Sequence, residues 1–118
     1  MIPALRNSQF VRYGVMHRNT YLNSPILLDK NLGSKEYGGL FFAGQITGLE
    51  GYVEAIVSGR VAALNVERYL RGVGALPIPV TTMIGGLIEH VTVSGRSPLK
   101  PVYSNFGLLP PVAGRGKR

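Results

Sequence analysis

Residues 44–52, Gly-Gln-Ile-Thr-Gly-Leu-Glu-Gly-Tyr, are the part of this chain whose types and spacing best suit chemistry. They join a short apolar run, Leu40-Phe41-Phe42-Ala43, to a segment of helical periodicity, and a helix N-terminus offers unpaired backbone N–H groups with a partial positive charge. Glycines in such a turn let an anion or a polar ring come close to the backbone. Gly44, Gly48 and Gly51 do not fit the dinucleotide fingerprint GxGxxG, and the segment does not fit the phosphate-loop pattern GxxxxGK(S/T). An ordinary connection between a strand and a helix therefore stays open as the plainer reading. Tyr52 could stack on a bound ring or serve as packing at a helix start.

The elements that must position this turn follow from period and punctuation. Leu40–Ala43, preceded by Gly38-Gly39, suits a short buried strand. From a start between Thr47 and Tyr52 to Arg71, Val53, Ile56, Val57, Val61, Leu64 and Leu70 share one broad apolar face, which predicts a long helix. Thr47 and Glu50 have capping-box spacing, and Gly72 stands where a left-handed cap would end the helix. After a turn at 72–79, a second helix is expected from about Val80 to His90, begun by Pro79 or a Thr. Gly85 and Gly86 disfavour it by about 1 kcal/mol each relative to Ala unless something packs closely there. Tyr21-Leu22 and Ile26-Leu27-Leu28 read as extended pieces, with Asn23 and Ser24 capping a turn before Pro25. Residues 103–111 read as extended, pinned by Pro110 and Pro111, and residues 112–118 as a basic tail.

Composition bounds the rest. A length of 118 residues allows one domain, and 16 Gly with 8 Pro make it loop-rich. The absence of Cys excludes a disulfide scaffold, a thiolate metal or iron–sulfur site, and a cysteine nucleophile within the chain. Thirteen Lys and Arg against six Asp and Glu give a net charge of +7, which suits an anionic partner. Residues 1–40 carry +3, residues 41–80 are neutral and residues 81–118 carry +4, so the positive charge sits at the two ends. No apolar run approaches the roughly 20 residues of a membrane helix and the first residues lack a secretory pattern, so the expected location is cytoplasmic, away from membranes.

Three blocks carry a resemblance to a known family: VRYGVMHRNTYLNSP at 11–25, GGLFFAGQITGLEGYVEAIVSGRVAALNVERYLRG at 38–72, and NFGLLPP at 105–111. In this order and spacing they resemble the C-terminal part of the folate- and FAD-dependent tRNA (uracil-5-)-methyltransferases. AGQITGLEGYVEA separates that family from the related wobble-uridine-modifying flavoproteins, which have a similar but not identical block.

The resemblance implies an α/β fold: residues 1–118 as the C-terminal portion of an FAD/NAD(P)-binding Rossmann-like domain, with short strands, one long helix, and the unit at 38–72 facing the flavin. It implies FAD as cofactor, NAD(P)H and methylenetetrahydrofolate as co-substrates, and methylation at carbon-5 of a T-loop uridine in tRNA. Ala43, Gly44 and Gln45 would lie beside the flavin's ribityl and pyrophosphate. Thr47 would be a further cofactor-side residue, and the turn through Glu50, Gly51 and Tyr52 would bring the helix N-terminus to the pyrimidine edge, where it would stabilise an anionic reduced flavin by roughly 1 kcal/mol or more. Arg18 and Asn19, with His17, would lie near the flavin or the folate and uridine pocket. Arg96, Lys100, Arg115 and Lys117 are candidates for phosphate contact, which positions RNA without reading its sequence. The departures are the missing GxGxxG and the missing catalytic cysteines, so no catalytic residue is expected here. MIPALR resembles an interior stretch of the family sequence, and the expectation is a fragment, inactive alone, whose partner is the missing N-terminal half. The alternative from another class is a stand-alone basic RNA-binding module without flavin.

Overall fold

The computed structural model describes residues 2–9, 11, 12, 14, 19–93 and 99–111. His17, Arg18, Arg96, Arg115, Lys117 and the tail at 112–118 lie outside them. The described chain runs through a helical turn α1 (Ser24–Leu27), the long helix α2 (Tyr52–Leu70) and the helix α3 (Met83–Thr92), with 3-10 turns at Pro3–Leu5, Gln45–Thr47 and Phe106–Leu108.

Helix α2 begins at the late limit of the expected interval, with Gly51 as N-cap, and ends where Gly72 takes a positive φ of 66°. The capping box is not formed. Thr47 lies in the preceding 3-10 turn and donates its hydroxyl to the Gly44 carbonyl at 2.7 Å. Helix α3 starts later than Val80 because Thr82 is its cap: the Thr82 hydroxyl accepts the Gly85 N–H at 3.1 Å and donates to the Pro79 carbonyl at 2.7 Å. The glycine pair has the close packing that such a pair needs. A Cβ at Gly85 would run into the Pro79 carbonyl, and one at Gly86 would stand 2.9 Å from the Leu108 oxygen.

Helix α3 is the hub of the core. Its Leu87 and Val91 pack with Leu49 and Leu99, while Ile88 packs with Leu32 and Val61 of α2, and Ile84 touches both groups. Polar bolts fasten the loops to this hub. Asn65, 2% exposed on α2, donates to the Asn31 carbonyl at 3.0 Å and accepts the Leu76 N–H at 2.7 Å. The buried Ser24 hydroxyl donates to the Thr47 carbonyl at 2.8 Å.

The strand expected at Leu40–Ala43 is not formed as such. Among the described residues, β pairing is confined to isolated bridges: Leu28 with Ser34, Gly33 with Phe41, and Leu49 in parallel with Val102. A strand needs a neighbour along its length, and Phe41 meets only the single residue Gly33 before its ring turns edge-on to Tyr69 at 6.1 Å. The extended reading of Ile26-Leu27-Leu28 is also corrected. Pro25 suits the first turn of a helix, the Asn23 carbonyl accepts from Ile26 and Leu27, and only Leu28 is extended. In 103–111 the Asn105 side chain accepts the Gly107 N–H at 3.0 Å and bends Phe106–Leu108 into a 3-10 turn.

Candidate cofactor site

A cavity of about 620 Å³ opens at the N-terminus of α2, lined by Asn19, Gln45, Glu50, Gly51, Tyr52, Ala55 and Tyr103. Three segments make it. The turn 45–51 supplies one wall, and residues 99–103 supply another through the Leu49–Val102 bridge, where Glu50 N–H reaches Val102 O at 3.0 Å and Val102 N–H reaches Gly48 O at 3.1 Å. The third wall follows Asn19: Leu22 N–H donates to Ile46 O at 2.7 Å, and the Tyr21 hydroxyl donates to Leu99 O at 3.3 Å.

Gly51 is the hinge of the site. Its φ of 95° belongs to the region that L side chains avoid, and a Cβ there would strike the Glu54 carboxylate and stand 3.2 Å from the Tyr103 ring. Only glycine lets the backbone enter α2 this close to both. Tyr52 is 92% exposed at the mouth, with Tyr103 on the other side of Gly51. Gln45 reaches Glu50 with its amide at 3.4 Å.

Glu54 anchors the far wall. Its Oε1 accepts the Ser104 backbone N–H at 3.0 Å and the Ser104 hydroxyl. The Ser104 hydroxyl is the main reason its carboxyl is held below the usual carboxylate value; its own N–H and the Ser104 N–H add to this against a small opposing effect of burial. A carboxylate in the first turn also faces the positive end of the helix. The acidic side chains here, Glu50 and Glu54, mean that any attraction for an anionic ring comes from the backbone of α2 rather than from side-chain charge.

Of the residues singled out in the sequence, the cavity brings together Asn19, Gln45, Glu50, Gly51 and Tyr52. Ala43, Gly44 and Thr47 build the turn behind it. The Gly44 N–H is bonded to the Ser58 hydroxyl at 2.9 Å, and Thr47 is fully buried. Lys100 is exposed on the segment that leads into Tyr103. Sequence reading missed Ala55, Tyr103 and the Glu54–Ser104 clasp. Glu54 was findable as the acidic residue three positions after a glycine cap, whereas Tyr103 is 51 positions from Tyr52 and carried no local signal. Among the described residues no helix is long and apolar enough to cross a membrane.

Comparison with known proteins gives this geometry its context. The chain is 53% identical over 116 residues to the methylenetetrahydrofolate–tRNA-(uracil-5-)-methyltransferase TrmFO of Thermotoga sp. strain RQ2, a match that covers 98% of this chain and 27% of the relative. The enzyme of the same name from Desulforudis audaxviator is 48% identical over 118 residues, 100% of this chain and 27% of its own length. That from Streptococcus sanguinis is 50% identical over 114 residues, 97% of this chain and 26% of its own. The chain thus spans about a quarter of the length of these relatives and corresponds to a segment of them, as the three sequence blocks imply. The family model described as glucose inhibited division protein A matches residues 1–73, and the chain belongs to that family.

Proposed function

We propose that this chain is the C-terminal segment of a flavoprotein that methylates carbon-5 of a T-loop uridine in tRNA with methylenetetrahydrofolate and reduced FAD, and that it is inactive alone. The observation that carries the reading is the cavity at the α2 N-terminus, which brings Asn19 together with Gln45, Glu50, Gly51 and Tyr52 of the turn. Its volume lies within the range of about 300–1,000 Å³ usual for ligand sites. A glycine that keeps the backbone close to Glu54 and Tyr103, the Tyr52 and Val53 N–H groups at the start of the helix and the two tyrosine rings suit the ring end of a flavin. The sequence has no GxGxxG to hold the adenosine end, which requires the rest of a Rossmann-like domain.

When bound, FAD supplies the redox chemistry, and the residues here bind and orient it. The Tyr52 and Val53 N–H groups at the start of α2 would meet an anionic edge of the guest, Tyr52 and Tyr103 would pack against its ring, and Asn19 and Gln45 would offer amides to its polar edge. Ala43, Gly44 and Thr47 fix the turn from behind, and Arg18 holds an anionic group of the folate or the RNA. The basic ends, with Arg96, Lys100, Arg115 and Lys117, face tRNA phosphates, and the enzyme works in the cytoplasm.

The test is to co-express the chain with the first three-quarters of the Thermotoga sp. relative and to record flavin absorbance of the purified material. A yellow complex that methylates tRNA is expected. A colourless complex, with the isolated chain a folded monomer that binds tRNA, would instead establish the stand-alone RNA-binding module.

A further inference from the structure

Helix α2 carries a second apolar seam that the described structure leaves largely open, with Gly59 and Val66 half-buried and its other four residues exposed. Tyr52, Ile56, Gly59, Ala63, Val66 and Leu70 recur at alternating steps of four and three, the spacing by which one helix packs along another element. At 100° per residue this seam lies about 130° around the helix from the buried stripe Ser58, Val61, Ala62 and Asn65. Ile56 is 72% exposed and Leu70 78% exposed. Gly59 supplies an independent sign. It sits in the interior of a 19-residue helix, where glycine is the poorest former after proline, yet a Cβ added to it would meet nothing within 4 Å. Gly85 and Gly86 each lie against a close backbone neighbour, whereas nothing among the described residues lies against Gly59.

We infer that this seam is the docking surface for the complementary part of the same kind of polypeptide, the three-quarters of the relatives that lies outside the matched segment, and that Gly59 and Ala63 mark the point of closest backbone approach. The inference rests on the reading of the chain as a segment of a larger flavoprotein. The occupant follows from lengths: relatives that match 97–100% of this chain extend to nearly four times its length, so a large body of polypeptide accompanies this helix in each of them. A second copy is the poorer occupant, since each copy brings a charge of +7. Small residues at the centre with Ile56 and Leu70 towards either end suit a regular element laid along the helix, and Arg60 and Glu67 give it a polar border along one side.

The two parts are co-expressed, only the complementary part is tagged, and co-purification of the full 118-residue chain is measured. Wild type should co-purify in equal amount, Gly59→Leu and Ile56→Glu should each lower recovery at least tenfold, and Glu36→Ala, away from the seam, should not change it. Gly59→Ala, which favours the helix itself, should raise the melting temperature of the isolated chain and still lower recovery several-fold. This pair of opposite effects separates a lost contact from a lost fold. Full recovery of Gly59→Ala and Ile56→Glu, no association of the wild-type parts, or a homodimer of the isolated chain broken by these variants would each overturn the proposal. Association without flavin absorbance leaves the seam standing and overturns the flavin reading instead.

Discussion

Asn65 shows how much a single buried polar residue can decide. Its amide serves the Asn31 carbonyl and the Leu76 N–H together, so that one side chain on α2 fixes the loops on either side. Asn65→Ala leaves two half-buried backbone groups without this partner, and a loss of about 1–3 kcal/mol is expected, read as a lower urea midpoint at unchanged slope. Glu54 makes a prediction in pH. Its carboxyl is held below 4.5 in the fold, chiefly by the Ser104 hydroxyl, so the clasp stabilises above that value and is lost as pH falls through the lowered one. Glu54→Gln should be less stable than wild type at neutral pH, and its melting temperature should fall less on acidification below 4.5; equal acid slopes for the two proteins would refute the clasp. Neither role was legible in the sequence. Asn65 reads there as a polar residue in a helix, and the Glu54 partner is 50 positions away.

At the scale of elements, the extent of the long helix was legible and its buried face was not: Val53, Ile56 and Leu70 are exposed, and Ser58, Val61, Ala62 and Asn65 face the core. The apolar spacing from Val53 to Leu70 gave α2, and Gly72 gave its end, because both signals lie within the helix itself. Leu40–Ala43 carried the composition of a buried strand, but strand pairing is a property of two segments and Phe41 has only one bridge. Three apolar residues after Pro25 could not distinguish a helical turn from an extended piece, and the Asn23 carbonyl settled it. The cavity was half visible for the same reason: its near wall is the local turn, its far wall the remote Tyr103. Helix α3 makes the element-scale prediction. Thr82→Ala removes the hydroxyl that caps Gly85, with an expected cost of about 1 kcal/mol. Gly86→Val drives a side chain toward the Leu108 carbonyl and should cost more than Thr82→Ala, because it opens the hub that holds Leu87, Ile88 and Val91. Thermal unfolding followed by circular dichroism ranks the two; a Gly86→Val protein as stable as Thr82→Ala would mean that α3 does not lie against 106–108.

For the whole molecule, charge and shape point the same way. The radius of gyration is 18.1 Å, against about 13–14 Å expected for a compact domain of this length, so the hub around α3 gathers only part of the chain. The neutral middle holds the α2 seam and five of the seven residues that line the cavity, and the +3 and +4 ends lie to either side of it in sequence. An anionic macromolecule held by such ends makes contacts of charge, not of base sequence, and each phosphate engaged releases counterions. Binding of tRNA to the reassembled protein should therefore weaken steeply as salt rises, with a logarithmic slope of about −0.7 to −0.9 for each phosphate contacted. Lys100→Ala tests one such contact on a described residue: it should reduce that slope by about one contact's worth and leave flavin absorbance unchanged, since Lys100 does not line the cavity. A slope that stays the same removes Lys100 from the RNA surface and leaves the other basic residues of the two ends to supply it. A Lys100→Ala protein that loses flavin would mean that segment 99–103 serves the cofactor wall alone.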